Sequence, residues 1–203
     1  TVNALVTTSG KPTITGTSTL AAGDTLTVSL NGTTYTEGDG NLTLVGNDWT
    51  LVVPPENTLP EARYNVEARV VDVASNVATD VTSDELIVDS TAPLVADQTL
   101  QYAENRNANA ILGNVVATDN LTLADFGFRW ADDSVNASTE DGYFSIDSSG
   151  LVRMNSAATG TSVNDYESGA STDSAYTVVV TDISGLTADA SVTLSITDLD
   201  ETP

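Results

Sequence analysis

Histidine and cysteine are absent from the 203 residues, and lysine occurs only once, at Lys11. Without histidine, the chain lacks the side chain that most often serves enzymes as a general base near neutral pH. Without cysteine, it has no thiol nucleophile, no disulfide and none of the common zinc sites. These absences predict a protein that is not an enzyme. An extracellular domain with no cysteine has no disulfide to stabilise it, and calcium bound through oxygen ligands can stabilise it instead.

Basic residues are few. The chain has six Lys and Arg and 29 Asp and Glu, which give a formal net charge of −23. A surface this acidic repels nucleic acid and anionic lipid. No run of residues is apolar enough to span a bilayer, and no charged-then-apolar leader opens the sequence, which indicates a segment of a longer protein. The composition therefore predicts neither nucleic-acid binding nor membrane insertion.

Hydrophobic residues nevertheless make up 40% of the chain, which is enough to form a core. The length suits one large domain or two domains of about 100 residues each. Like charges repel one another in a compact state, so the acidity must be offset by high salt or by bound divalent cations. Where the acidic residues lie along the chain distinguishes these two alternatives.

Short alternating runs predict β-strands in the first half. Leu26, Val28 and Leu30 alternate with polar residues, Asn31-Gly32 follows, and an extended pattern resumes at 33–36. Asn-Gly between two such runs is the strongest short signal of a β-hairpin. About seven strands fall within some 90 residues, which is the number expected of an immunoglobulin-like sandwich.

The second half shows the same organisation without helical periodicity. Residues 89–93, Asp-Ser-Thr-Ala-Pro, mark a boundary, so we predict modules at 1–93 and 94–203. Each half finishes with a strand, a turn containing Asp, a strand and an acidic segment that ends in proline. The predicted fold is all-β, with two tandem Greek-key β-sandwiches. Strands are predicted in the second module at 111–118, 142–146, 151–154, 176–181 and 190–197.

The direction of the last strand predicts where several acids gather. Because that strand runs from the start of a module to its far end, the turn before it lies at the start. Asp182 should therefore approach Asp89 in the linker, and Asp119 should lie at the same end. By the same logic, Asp72 faces a preceding module.

A second set of acids is expected at the far pole of the second module. Calcium takes six to eight oxygen ligands, whereas magnesium prefers tight octahedral geometry and retains water, so calcium suits clustered carboxylates better. The alternative for each Asp is a simple turn cap, since Asp side chains commonly satisfy turn backbones. The acids expected at this pole are Glu104, Asp165, Glu167, Asp198 and Asp200.

The first module resembles the bacterial immunoglobulin-like repeats of type I-secreted (RTX) adhesins. The resemblance covers roughly residues 1–93 and depends on the order and spacing of individually weak motifs. These are Lys11-Pro12-Thr13-Ile14-Thr15-Gly16, Ala22-Gly23-Asp24-Thr25-Leu26, Asn31-Gly32, Trp49-Thr50-Leu51, Tyr64-Asn65-Val66 and Val88-Asp89-Ser90-Thr91-Ala92-Pro93.

The second module resembles a cadherin-like repeat. The motifs are Ala103-Glu104-Asn105, Val116-Ala117-Thr118-Asp119, Phe144-Ser145-Ile146-Asp147, Gly150-Leu151-Val152, Asp165-Tyr166-Glu167 and residues 198–203. This resemblance implies calcium ligands at Glu104, Asp119, Asp165, Glu167, Asp182, Asp198 and Asp200. There are departures, because Leu121 replaces the second acid of the family's Asp-x-Asp motif and the closing motif is one residue shorter.

Together the resemblances imply a calcium-stiffened extender in a large adhesin on the bacterial cell surface, with a role in adhesion or biofilm formation. Its partners would be calcium ions and neighbouring modules. An alternative is that the second module itself binds a glycan, a peptide or a protein through polar insertions at 131–142 and 168–173. Glycoside hydrolysis by neighbouring carboxylates is disfavoured, since Trp49 and Trp130 are interpreted as core residues and not as a sugar platform.

Overall fold

The computed structural model describes residues 1–168 and 173–201. Most of the regular secondary structure in these residues is β-strand. Within those residues there is no α-helix, only four short 3-10 turns, and no helix has the length and apolar character needed to cross a bilayer. The chain divides into a first unit, Thr1–Ser90, and a second unit that begins at Thr91. The end of the acidic segment, at 202–203, and positions 169–172 of the insertion predicted at 168–173 lie outside the described residues.

The first unit contains ten strands in three sheets. The sheets have the orders β2-β6-β5, β4-β3-β8-β9 and β1-β10-β7, and β1 pairs with β10 in parallel. The strands are β1 (Leu5–Thr7), β2 (Thr13–Thr17), β3 (Thr25–Leu30), β4 (Thr33–Thr36), β5 (Leu42–Val45), β6 (Asp48–Val52), β7 (Ala62–Tyr64), β8 (Val66–Val71), β9 (Val77–Thr79) and β10 (Leu86–Val88).

Alternating residues of these strands meet in one core. In β3, Leu26, Val28 and Leu30 are buried, as their spacing predicts. Trp49 is fully buried, and a Cβ added to Gly16 would lie 2.2 Å from its Cζ2 atom, so only glycine fits at that position in β2. The Asn-Gly hairpin is confirmed, because Asn31 and Gly32 have φ angles of 47° and 79° between β3 and β4.

The described residues of the second unit also form ten strands. Its main sheet has the order β12-β20-β19-β15-β16, and smaller sheets have the orders β13-β18-β17 and β11-β14. The strands are β11 (Leu94–Val95), β12 (Gln98–Ala103), β13 (Ile111–Asn114), β14 (Ala117–Thr118), β15 (Leu123–Arg129), β16 (Val135–Asn136), β17 (Phe144–Ile146), β18 (Leu151–Met154), β19 (Asp173–Asp182) and β20 (Thr187–Thr197). Phe128, Phe144 and Leu194 are among the residues of its core. The all-β sandwich prediction is therefore confirmed.

Three details of the second unit differ from the predictions. The strand expected over 111–118 is two strands, because the chain leaves β18 after Asn114 and joins β11 at Ala117. β15 was not predicted, since Asp125 and Gly127 interrupt its apolar pattern and its register shifts near Asp125. Trp130, interpreted from the sequence as a core residue, is only half-buried, and its indole Nε1 donates to the Ser138 carbonyl oxygen at 2.7 Å.

In the first unit, the chain changes sheets at a point that Glu85 stabilises. β7 pairs with β10 and β8 pairs with β3, although only Asn65 separates β7 from β8. At this change of sheet, the Val66 N–H donates to Glu85 Oε2 at 3.0 Å. Glu85 is 6% exposed, and its Oε1 has no hydrogen-bond partner in the described part of the chain. Glu85 Oε2 thus accepts the hydrogen bond that a carbonyl oxygen of a neighbouring strand would otherwise accept from Val66.

We expect Glu85→Ala to lower the free energy of unfolding of the first unit by about 1–3 kcal/mol, because the buried Val66 N–H loses its acceptor. Glu85→Gln should cost less or nothing, since it retains an acceptor and removes a buried charge. Urea denaturation followed by Trp49 fluorescence, in a Trp130→Phe background, measures both. Equal losses for the two variants would contradict this role.

Candidate metal centres

Asp182 holds the turn between β19 and β20 with one of its two carboxylate oxygens. Its Oδ1 accepts hydrogen bonds from the Ser184 N–H at 2.8 Å, the Ser184 hydroxyl at 2.8 Å and the Leu186 N–H at 2.9 Å. The side chain is 1% exposed, and Oδ2 is buried with no hydrogen-bond partner among the described residues. A buried, unpaired carboxylate oxygen is costly unless a ligand or ion satisfies it.

Two other turns in the chain share this geometry. In the turns that begin at Asp72, Asp147 and Asp182, the Asp N–H donates to the carbonyl oxygen four residues later, at 3.0, 3.2 and 3.0 Å respectively. Asp147 Oδ1 accepts from the Ser149 and Leu151 N–H groups, as Asp182 Oδ1 does from the N–H groups of Ser184 and Leu186. The N–H groups of the turn therefore satisfy Oδ1 in each case, and they leave Oδ2 to find another partner.

The second oxygen distinguishes the three turns. Asp147 is exposed, so water can satisfy its Oδ2. Asp72 Oδ2 accepts from Asn76 Nδ2 at 2.7 Å, and the N–H and amide bonds from Asn76 lower the pKa of the Asp72 carboxyl. Of these three turns, only that of Asp182 has an Oδ2 that is buried and has no hydrogen-bond partner in the described residues. Asp72 belongs to no acidic cluster there, and its predicted role toward a preceding module stays a prediction.

Asp119 repeats the arrangement of Asp182 at the same end of the second unit. Its Oδ1 accepts from the N–H groups of Leu121 and Thr122 at 2.8 and 3.0 Å, and its Oδ2 is buried without a hydrogen-bond partner in the described chain. The Thr122 carbonyl oxygen accepts from the Ile183 N–H at 3.0 Å, which ties the two turns together. One carboxylate oxygen of Asp119 lies within 4.8 Å of one of Asp182. The structure therefore brings together two of the acids predicted for this pole.

Asp89 belongs to the first unit. It follows β10 directly, and its N–H donates to the Thr7 carbonyl oxygen at 2.9 Å, which extends the parallel pairing of β1 and β10. Its approach to Asp182 and Asp119 stays a prediction from the sequence.

Glu104 organises the opposite pole of the second unit. It is 2% exposed, and its Oε1 accepts from the Leu199 N–H and its Oε2 from the Tyr166 N–H, both at 2.8 Å. These two N–H groups hold the pKa of Glu104 below its usual value. Glu104 thereby fixes the closing segment and the loop at 165–168 against the end of β12.

Asp165 and Glu167 join Glu104 in one acidic cluster. Each of the three offers a carboxylate oxygen, and these atoms lie within 4.8 Å of one another. A hydrogen bond with its own backbone acts to lower the pKa of Glu167, but burial and the nearby Glu104 and Asp198 carboxylates raise it above its usual value. Two carboxylates in contact repel each other unless a proton or a cation lies between them.

The closing acids occupy the exposed end of this pole. The electrostatic effect of Asp198 on Glu167 places Asp198 near the cluster. Asp198 and Asp200 are both exposed, and neither is a member of a three-acid cluster in the described residues. Their roles as ligands stay predictions.

Both poles offer oxygen ligands only, which is the donor set that calcium prefers. A bound cation would stabilise the buried unpaired oxygens of Asp119 and Asp182 and the repelling pair of Glu104 and Glu167.

The buried acid Glu85 was not predicted from the sequence. Its position between Asp84 and Leu86 carries no sequence pattern that distinguishes it from a solvent-exposed acid.

No protein-family model matches the chain, and no curated protein matches it. Solved structures are similar in fold. Protocadherin Gamma B2 extracellular cadherin domains 1–5 match with 18% identity and a TM-score of 0.42 over 87% of this chain and 34% of that chain. The I-band fragment I67–I69 from titin matches with 16% identity and a TM-score of 0.48, over 97% of this chain and 64% of that one.

Fibronectin(III)-like modules of Clostridium thermocellum CbhA match at 11% identity with a TM-score of 0.43, over the whole of this chain and 94% of that chain. The chain thus spans about a third of the length of the protocadherin structure and nearly all of the CbhA modules. These are likenesses between β-sandwich folds at low sequence identity.

The carboxylate pair predicts a pH dependence in calcium-free protein. Because the folded-state pKa of Glu167 lies above the ordinary value of 4.5, this residue opposes folding increasingly as pH rises through that folded-state value. Glu104 behaves oppositely, since its pKa is lowered and its stabilising contribution is lost only as pH falls through its folded-state pKa. Glu167→Gln should therefore raise the melting temperature relative to the native chain near pH 7 and have little effect near pH 4.

Thermal melts in chelator across this pH range test the prediction. Glu140→Gln is the control, because Glu140 lies outside the cluster. A melting-temperature difference for Glu167→Gln that does not change with pH would refute the assigned repulsion.

Proposed function

We propose that the chain is a calcium-rigidified, structural segment of a long extracellular protein, and that it carries no catalytic activity. The observation that supports this most strongly is the pair of buried, unpaired oxygens of Asp119 and Asp182. A turn cap accounts for one oxygen of each residue and leaves the other for a ligand. Calcium accepts this combination of carboxylates, backbone carbonyls and water.

A second calcium would bind at Glu104, Asp165 and Glu167, with Asp198 and Asp200 as further candidate ligands. Because Glu104 also holds the N–H groups of Leu199 and Tyr166, an ion here would tie the closing segment to the body of the second unit. The cation would replace carboxylate repulsion with attraction. Chelation should therefore loosen this pole.

Stiffening of the chain is the function that follows from ions at the two poles. Asp89 is the proposed further ligand for the ion at Asp119 and Asp182, which would convert the segment after β10 from a flexible linker into a fixed one. Asp72 would serve a preceding module in the same way. Ions bound only by the folded chain also stabilise it by mass action.

The setting that we propose is a type I-secreted (RTX) adhesin at a bacterial cell surface, where stacked modules project a binding domain for adhesion or biofilm formation. This rests on the motif resemblance at 1–93, on the absence of cysteine and on the net charge of −23. In the cytoplasm, low calcium would keep the modules loose for export. Outside the cell, calcium would complete folding.

Calcium titration of the whole chain tests the proposal. At a calcium concentration of about 100 times Kd, one site adds roughly 2.7 kcal/mol to the stability of the second unit. That gain corresponds to a rise of several degrees in melting temperature. Small-angle scattering should show larger, better defined dimensions with calcium than with chelator, and Asp89→Asn should abolish that difference while retaining part of the thermal gain.

Asp147→Asn provides a matched control for Asp182→Asn, because the two Asp residues make the same turn bonds and only Asp182 has a buried, unpaired oxygen. We expect Asp182→Asn to weaken calcium binding by about tenfold or more and Asp147→Asn to leave it unchanged. Equal calcium affinities for the two variants, or no calcium-dependent change in melting temperature in the native chain, would refute the proposal.

A further inference from the structure

A groove of about 560 Å³ opens on the second unit, between the ends of β15 and β19 and the segment at 131–142. This volume lies within the range of small-molecule sites. The groove shares no residue with either acidic cluster of this unit. Its chemistry is therefore independent of the calcium proposal.

The walls of the groove are fixed by Asp141. Its Oδ1 accepts from the Thr139 hydroxyl at 2.6 Å and the Tyr143 N–H at 2.9 Å, and its Oδ2 accepts from the Tyr176 hydroxyl at 2.7 Å. The Tyr176 ring packs edge-to-face against Phe128 and Phe144, with ring centroids 5.7 and 5.6 Å apart. The aromatic wall is therefore preorganised, which lowers the entropy cost of binding a ligand.

Two further polar side chains line the rim. Arg129 donates from Nε and Nη2 to Asp189, at 3.0 and 2.9 Å, and its Nη1 donates to no acceptor among the described residues. Glu140 is held by the Ala131 N–H, which donates to Oε2 at 3.1 Å. The rim thus presents a guanidinium group and a carboxylate next to an aromatic side chain.

The charges in the groove select among ligands. Asp189 neutralises Arg129, so the carboxylates of Glu140 and Asp141 leave the groove negative in a chain that already carries −23. Sugars bearing carboxylate, sulfate or phosphate groups are repelled. A neutral ligand with several hydroxyl groups can use both the donors and the acceptors of the rim.

Strand pairing leaves a short backbone edge at the groove. β15 pairs with β19 only as far as Phe128 and Val178, and residues 175–177 of β19 pair with β20 alone. Because only three residues of this edge line the groove, an added peptide strand gains few backbone hydrogen bonds there, whereas sugar hydroxyl groups can use the same backbone donors and acceptors. From these observations we propose that the groove is a binding site for a neutral saccharide, sized for one or two sugar rings.

The test uses the whole 203-residue chain, with calcium and with chelator, on a glycan array of neutral and acidic oligosaccharides and on an array of short peptides. Hits are titrated by NMR as the free neutral disaccharides. The double substitution Ala175→Met/Thr177→Met fills the groove from two exposed positions of β19. Its matched control, Thr99→Met/Gln101→Met, places the same side chains with the same spacing at exposed positions of β12, at the other edge of the sheet.

We expect at least one neutral saccharide to bind and the groove-filling variant to lose about tenfold or more in affinity, with the control within about twofold of the native chain. Amide shifts in the native chain should concentrate at Arg129, Glu140 and Thr177, a readout that stands even if the double variant fails to fold. The proposal is overturned if only acidic glycans or peptides bind, if no neutral saccharide binds, or if the shifts lie elsewhere. Because the groove and the acidic clusters share no residue, saccharide binding can be measured whether or not the chain binds calcium.

Discussion

In the turns at Asp119 and Asp182, the backbone satisfies one carboxylate oxygen and leaves the other without a hydrogen-bond partner among the described residues. The turn at Asp182 consumes Oδ1 in three hydrogen bonds, while burial denies Oδ2 the water that satisfies the equivalent oxygen of Asp147. Asp119 divides its oxygens in the same way. The turns leave each of the two residues with an unpaired oxygen, and one carboxylate oxygen of Asp119 lies within 4.8 Å of one of Asp182. That arrangement makes the start of the second unit a candidate ion site.

Part of the high negative charge lies in two acidic clusters of the second unit. The Glu104 and Asp198 carboxylates help to raise the pKa of Glu167, while the N–H groups of Leu199 and Tyr166 lower that of Glu104. Elsewhere the chain neutralises a charge locally, as Arg129 does for Asp189. The repulsion around Glu167 is of the kind that a bound divalent cation would relieve.

Strand periodicity predicted most of the fold, since the rows Leu26-Val28-Leu30 and Val192-Leu194-Ile196 are buried as their alternation requires. It failed where tertiary context decides, as in β15, whose Asp125 and Gly127 break the pattern while pairing with β19 holds the strand. The grouping of Glu104 with Asp165 and Glu167 was predicted from topology and resemblance. The unpaired oxygens could not be predicted, because burial of a single atom depends on packing and not on sequence spacing.

The parallel pairing of early and late strands affects how each unit responds to force. β12 pairs with β20 in parallel over six residue pairs, and β1 pairs with β10 over three. A pull that separates the two ends of a unit acts along such a ladder, so its hydrogen bonds are sheared together and do not open one at a time. With twice as many pairs in register, the second unit should withstand the greater tension, and the first should yield earlier as an extensible element.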